Sequence, residues 1–342
     1  MPSYTRLLVA AALTLPAALP GQSLDLMVNN TGLSIGDSRI VNGIRLNFRD
    51  DRMQRVTGIN ATIWSPYPPA GGDVRGLALG LPLTGARNIS GIGLGVLGVG
   101  ADNDFRGLGL GLFGVGAGGD LTGINLGGFG AGAGGNITGI TIGGFGAGAG
   151  GNVKGLTIGG FGAGAGGNIT GIQMGLFGVG AGGNVTGFSF GGFGAGAGGN
   201  VKGVTVGGFG AGAGGDITGV TIGGFGAGAG GTLRGLAIGG FGAGAPTVRA
   251  VILSIIAAGG HDVEGAIVAP FYFKVEDDRG DPGRMKGISI SAYNRIKGDQ
   301  FGLSIGLLNF AWELHGWQIG VLNYAGNNPK GLRLLPLFNR AW

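Results

Sequence analysis

Along most of the chain, apolar positions alternate with glycine or polar positions for a few residues, break, and alternate again. In the unit GITIGGFGAGAGGNVK (139–154), Ile140 and Ile142 share one parity and Phe145, Ala147 and Ala149 share the other. A period of two marks strands with one buried face, and the change of phase at Gly143–Gly144 demands a turn or bulge. Each unit therefore predicts two short strands, roughly ITI and FGAGA, joined by a Gly-Gly corner and closed by a second corner at GGN. Folded over each other, the strands would set Ile140 and Ile142 against Phe145, Ala147 and Ala149, in a thin interior between sheets about 10 Å apart. The other parity of the second strand is all glycine, so one outer face is expected to be bare backbone.

The unit repeats. Phe113, Phe129, Phe145, Phe161, Phe177, Phe193, Phe209, Phe225 and Phe241 are spaced by 16, and a fixed period of this length signals a repeat architecture. Glycines that open a unit fall at Gly43, Gly58, Gly76, Gly91 and Gly107, then every 16 residues to Gly235, then at Ala250 (in place of glycine), Gly265, Gly287, Gly302, Gly316 and Gly331, about nineteen units in all. Insertions fall at one corner only, near residues 65–73 and 274–284, as loops on one edge of a stacked array would. Residues 23–342 read as a single all-β repeat domain with a regular glycine-rich core over 107–245. Its expected core is Ile140, Ile142 and the row Phe129, Phe145, Phe161, Phe193, Phe209, Phe225 and Phe241. A β-solenoid is favoured, because adding a coil disturbs nothing else. The alternative is a closed ring, flower-like or barrel, of β-hairpins.

Composition narrows the classes. Glycine supplies 88 of 342 residues, with 12 prolines, no cysteine and two histidines. Collagen needs glycine at every third position, and interior glycine at this density costs a helix about 0.5–1 kcal/mol each. Disulfides and cysteine-ligated metals are excluded. The +5 net charge is too small to imply a nucleic-acid partner. Arg6 followed by the apolar run from Leu7 to about Leu19 reads as a secretory signal over residues 1–22. No segment has the unbroken apolar length of a transmembrane helix.

Several rows are candidates for chemistry. Asn136, Asn152, Asn168, Asn184 and Asn200 mark the GGN corner, where Asn suits turn geometry and stacked Asn can bond from unit to unit. Thr141, Thr157, Thr205 and Thr221 form a second row in the middle of the first strand, expected to be exposed, where a flat threonine row could bind ice or glycan. Lys154, Lys202 and Arg234 precede the opener and are expected to keep an edge soluble. The stretch VEDDRGDPGR lacks the ligand spacing of a calcium loop, and His261, Asp262 and Glu264 have no partner nucleophile or metal set in the sequence. Trp342 supplies the final aromatic that an outer-membrane barrel carries. The expectation is a non-enzymatic protein with no catalytic residues, cofactor or metal. Its expected partners are a second copy, through the glycine face, or a cell-envelope component.

The last units read GLSIGLLNFAWELHG, GWQIGVLNYAGNNPKG and GLRLLPLFN. Over about residues 287–342 they resemble the bacterial surface-repeat proteins whose units read GLQIGLxN, and the closing LPLFNRAW is similar to that group's Leu-Pro-x-x-Asn ending. The resemblance implies an exported, all-β protein, at the cell surface, associated with the outer membrane or secreted, and it carries over no catalytic residue. The function expected is a structural or adhesive surface. The alternatives are an outer-membrane β-barrel and an ice- or glycan-binding module.

Overall fold

A computed structural model describes residues 23–64, 66, 68–69, 71–276 and 281–341. The expected signal (1–22), Asp277, Asp278 and Trp342 lie outside the described residues. The chain is all-β, 71% strand, and winds as a β-solenoid of about 16 coils of about 16 residues each. It divides into two compact units, one ending at Phe129 and the other spanning Gly130–Trp342.

In the second unit each coil has a long arm, such as Ile137–Gly143, and a short arm, such as Gly146–Ala149. Long arms pair with long arms in parallel, Ile137 on Val153 and Thr141 on Thr157. Short arms pair likewise, Gly146 on Gly162 and Ala147 on Ala163. The corners bond in the same direction, as in Phe161 N–H to the Phe145 carbonyl at 2.6 Å. Parallel ladders of this kind cannot arise from hairpins, so the closed-ring alternative, and the barrel that depended on it, do not describe this chain.

On the long arm the assignment of faces is the reverse of the expectation, and Phe145 leaves the corner outward, while Ala147 on the short arm faces inward as expected. Ile137, Thr141, Gly143, Ala147 and Val153 point inward and are buried, whereas Phe145 is 51% exposed and Ile140 37% exposed. Phe129, Phe161, Phe193, Phe209, Phe225 and Phe241 stand out in the same way, and Thr141, Thr157, Thr205 and Thr221 are closed off. The reason is the thinness of the coil. A Cβ at Gly143 would lie 1.9 Å from the Gly146 carbonyl oxygen, so the Gly-Gly corner has no inner room and the ring of Phe145 must leave it outward. Between the arms there is space for alanine and threonine; the larger Ile137 and Val153 fit at the opposite, wider corner.

In the first unit Thr31–Gly36, Ile40–Asn47, Arg55–Thr62 and Asp73–Gly80 stack in parallel with their glycines in register. Among the described residues no short arm separates the first three of these four strands, so the turn opened by Gly43 is single-armed. The interior here is polar. Arg45 is fully buried and bonded to Asp37 at 2.7 Å, to Asp50 and to Asn60, and Thr62 reaches Asp50 at 2.8 Å.

Each unit carries one antiparallel terminal strand. Ser23–Val28 pairs antiparallel with Thr31–Gly36, and Leu334–Ala341 pairs antiparallel with the last coils, Gly316 on Ala341. Gly331 therefore opens no coil; it lies in a single 3₁₀ turn, Lys330–Leu332. That strand takes one of the nineteen openers out of the coil count. Asn294, Asn309 and Asn323 face inward in this region: the Asn294 side chain donates to Asn309 and Asn309 to Asn323, both at 2.7 Å.

Candidate functional site

Three outward rows run along the long arms between Ile137 and Gly239 and past the adjoining corner. The first is the pre-opener row with Lys154, Lys202 and Arg234. The second and third begin at Ile140 and Ile142 and continue through Ile172 (44% exposed) and Met174 (37%) to Leu236 and Ile238. Beyond the corner stands the phenylalanine ladder. Consecutive rings from Phe145 to Phe241 stack with centroids 4.7–5.1 Å apart and planes within 6°. The spacing is that of parallel strands, about 4.8 Å, so the backbone repeat sets the stack. The result is an outward apolar surface with Lys154, Lys202 and Arg234 spaced among threonines along one margin and aromatic rings along the other.

On the other side of the coil the outward positions are glycines. A Cβ at Gly146 or Gly210 would meet nothing closer than 3.8 Å and 3.9 Å respectively, so that row is bare without steric need, whereas a Cβ at Gly148 or Gly212 would lie 3.0 Å or 2.8 Å from the carbonyl oxygen of the next coil. The opener glycines differ: Gly171 has φ +128°, and a Cβ there would lie 2.1 Å from the Gly155 carbonyl oxygen.

The corner asparagines form a ladder. The Asn136 side-chain oxygen accepts from the Asn152 backbone N–H at 2.8 Å and from its side-chain amide at 3.2 Å. The same bonds join Asn152 to Asn168 and Asn168 to Asn184, and Asn184 accepts from the Asn200 N–H at 2.7 Å. They bond to the next coil more than within their own turn. The buried threonine row makes no comparable ladder, and the ice- or glycan-binding reading, which required it to be exposed, falls.

Charged groups are sparse between Ile137 and Gly239 and gather in the coils on either side of that stretch. Glu276 is buried among Lys274 (2.9 Å), Arg295 (3.2 Å) and Lys297 (2.6 Å). The hydrogen bond from Lys297, then that from Lys274, holds its carboxyl down to about 2 against the opposing effect of burial. A groove of about 640 Å³ beside it is lined by His261, Tyr272 and Lys274. Asp262 takes Arg249 at 2.6 Å and Arg284 at 3.2 Å, and the bond from Arg249 lowers its pKa most. Glu264 pairs with Arg249 and Lys286. The structure thus places Asp262 and Glu264 in ion pairs.

Two features were missed from the sequence. Asp299, Glu313 and His315 bring one ligand atom each to within 4.8 Å of one another, and His315 stacks on Phe301 at 4.8 Å. Their positions relative to the openers Gly302 and Gly316 would have aligned Asp299 with Glu313. The second is the apolar face itself, whose rows were visible but assigned to the interior. Among the described residues no helix is long and apolar enough to cross a membrane. Set against known protein families, curated proteins and solved structures, the chain matches none of them.

Proposed function

We propose that the chain is an exported bacterial repeat protein that presents a surface at the cell envelope, as a structural or adhesive component, and that it catalyses no reaction. The supporting observation is the outer face over 137–239, where the same rows recur on coil after coil. Catalysis needs unlike groups converging on one point, whereas a face of identical rows suits a flat or repetitive partner. The apolar leader at residues 7–19 and the resemblance of residues 287–342 to surface-repeat units support the location.

Fractionation of bacterial cells expressing the full chain, with N-terminal sequencing and protease treatment of intact cells, tests the reading. The expected product starts near residue 23, lies outside the cytoplasm and is cut on intact cells. A chain that keeps Met1 and remains in the cytoplasm would overturn it.

A further inference from the structure

We infer that the Ile/Phe face is the contact surface for a second copy of this chain, laid face to face with both coil stacks running in the same direction. The inference rests on the surface-presenting reading only for where the contact would form; the contact itself is tested separately.

Area comes first. The rings from Phe145 to Phe241 are each about half exposed. At ~200 Å² per phenylalanine side chain this leaves on the order of 700 Å² of ring surface open, before the Ile140 and Ile142 rows are added. The largest apolar patch on an ordinary monomer is about 300–600 Å², and a stable interface takes about 800 Å² from each partner. The face has the size of one half of a dimer.

Shape and charge then select the occupant. Rows in register at one strand spacing make the face self-complementary, since a second identical face interdigitates with it as two sheets pack, about 10 Å apart. There are two ways to turn one copy onto the other. Rotation about an axis along the strands sets Lys154, Lys202 and Arg234 against the same cations of the partner. Rotation about an axis along the coil stack sets them over the partner's phenylalanine ladder, where a cation meets the negative face or margin of an aromatic ring. The second arrangement is isologous and closes as a dimer. A lipid surface would suit cations on both margins of the apolar face, but beyond the ladder lie Gly146, Gly162 and Gly178.

Sedimentation velocity of the full chain in detergent-free buffer, over a range of concentrations, reads the contact. The expected species is a dimer. The triple variant Phe161→Lys, Phe193→Lys, Phe225→Lys is expected to sediment as a monomer with an unchanged β-sheet circular dichroism spectrum. Should that variant fail to fold, Lys202→Glu with Arg234→Glu changes only exposed positions and is expected to weaken the dimer by about tenfold or more. Gly194→Gln with Gly210→Gln, on the opposite face, is expected to leave it intact. A monomer at every concentration would overturn the inference, and so would a dimer lost in the glycine variant and kept in the lysine variant. A chain monomeric in buffer that co-sediments with phosphatidylglycerol vesicles through its phenylalanines would assign the face to lipid instead.

Discussion

A methyl group at Gly171 must clear the Gly155 carbonyl oxygen 2.1 Å away at φ +128°, whereas one at Gly210 meets nothing nearer than 3.9 Å. Gly171→Ala is therefore expected to cost about 2 kcal/mol or more. Gly210→Ala should add about 0.5 kcal/mol by restricting the unfolded chain. Urea unfolding of the two variants beside the parent checks both signs. At Glu276 the consequence is in pH. Its carboxyl is lowered from 4.5 to about 2 by Lys297 and Lys274, so the folded state holds the proton more weakly than the unfolded one. The resulting stability is present in full above about pH 4.5 and is lost as pH falls toward 2. Glu276→Gln should be less stable than the parent at pH 7, with the two urea midpoints converging across that acid window.

At the scale of the arm and its rows, the interior holds two kinds of polar row with opposite worth, one bonded from coil to coil and one not. Asn309 accepts from Asn294 and donates to Asn323 and to the Ile319 carbonyl, so Asn309→Leu strands partners on both sides and should cost about 2 kcal/mol. The Thr205 hydroxyl is buried and finds no partner among the described residues. Thr205→Val removes an unmet desolvation cost and should stabilise by about 1 kcal/mol, read as a rise in thermal midpoint. These rows also mark the limit of what the sequence made legible. The period, both corners and the two-arm coil follow from alternation and from glycine spacing, which are local properties. Which parity faces inward depends on how thick the coil is, and that is decided by backbone contacts such as Gly143 against Gly146. Size alone put Phe145 inside and Thr141 outside. The asparagine corner was legible because its chemistry is local, while the group Asp299, Glu313 and His315 forms only when successive openers are laid in register.

Stability is expected to be a sum over coils, because each coil contacts its neighbours through ladders that repeat every 16 residues in the glycine-rich core and at nearby spacings outside it. The antiparallel strands Ser23–Val28 and Leu334–Ala341 then act as end pieces, covering strand edges that would otherwise pair with other chains. Deletion of residues 171–186 tests this directly. It sets Gly155 beside Gly187, Phe161 beside Phe193 and Asn168 beside Asn200, all equivalent positions one coil apart. The shortened chain should unfold cooperatively in urea with a slightly smaller denaturant slope, since the slope follows the surface exposed. Deletion of only residues 171–178 removes most of the long arm Ile169–Gly175, the corner after it and the first residue of the short arm Gly178–Ala181, and leaves the rest of that short arm to face a long one. Inward threonine and alanine positions would then meet outward phenylalanine, the Gly-Gly corner would lose its register, and the cooperative transition should disappear. Equal behaviour of the two deletions would mean that the coil is not the unit of folding.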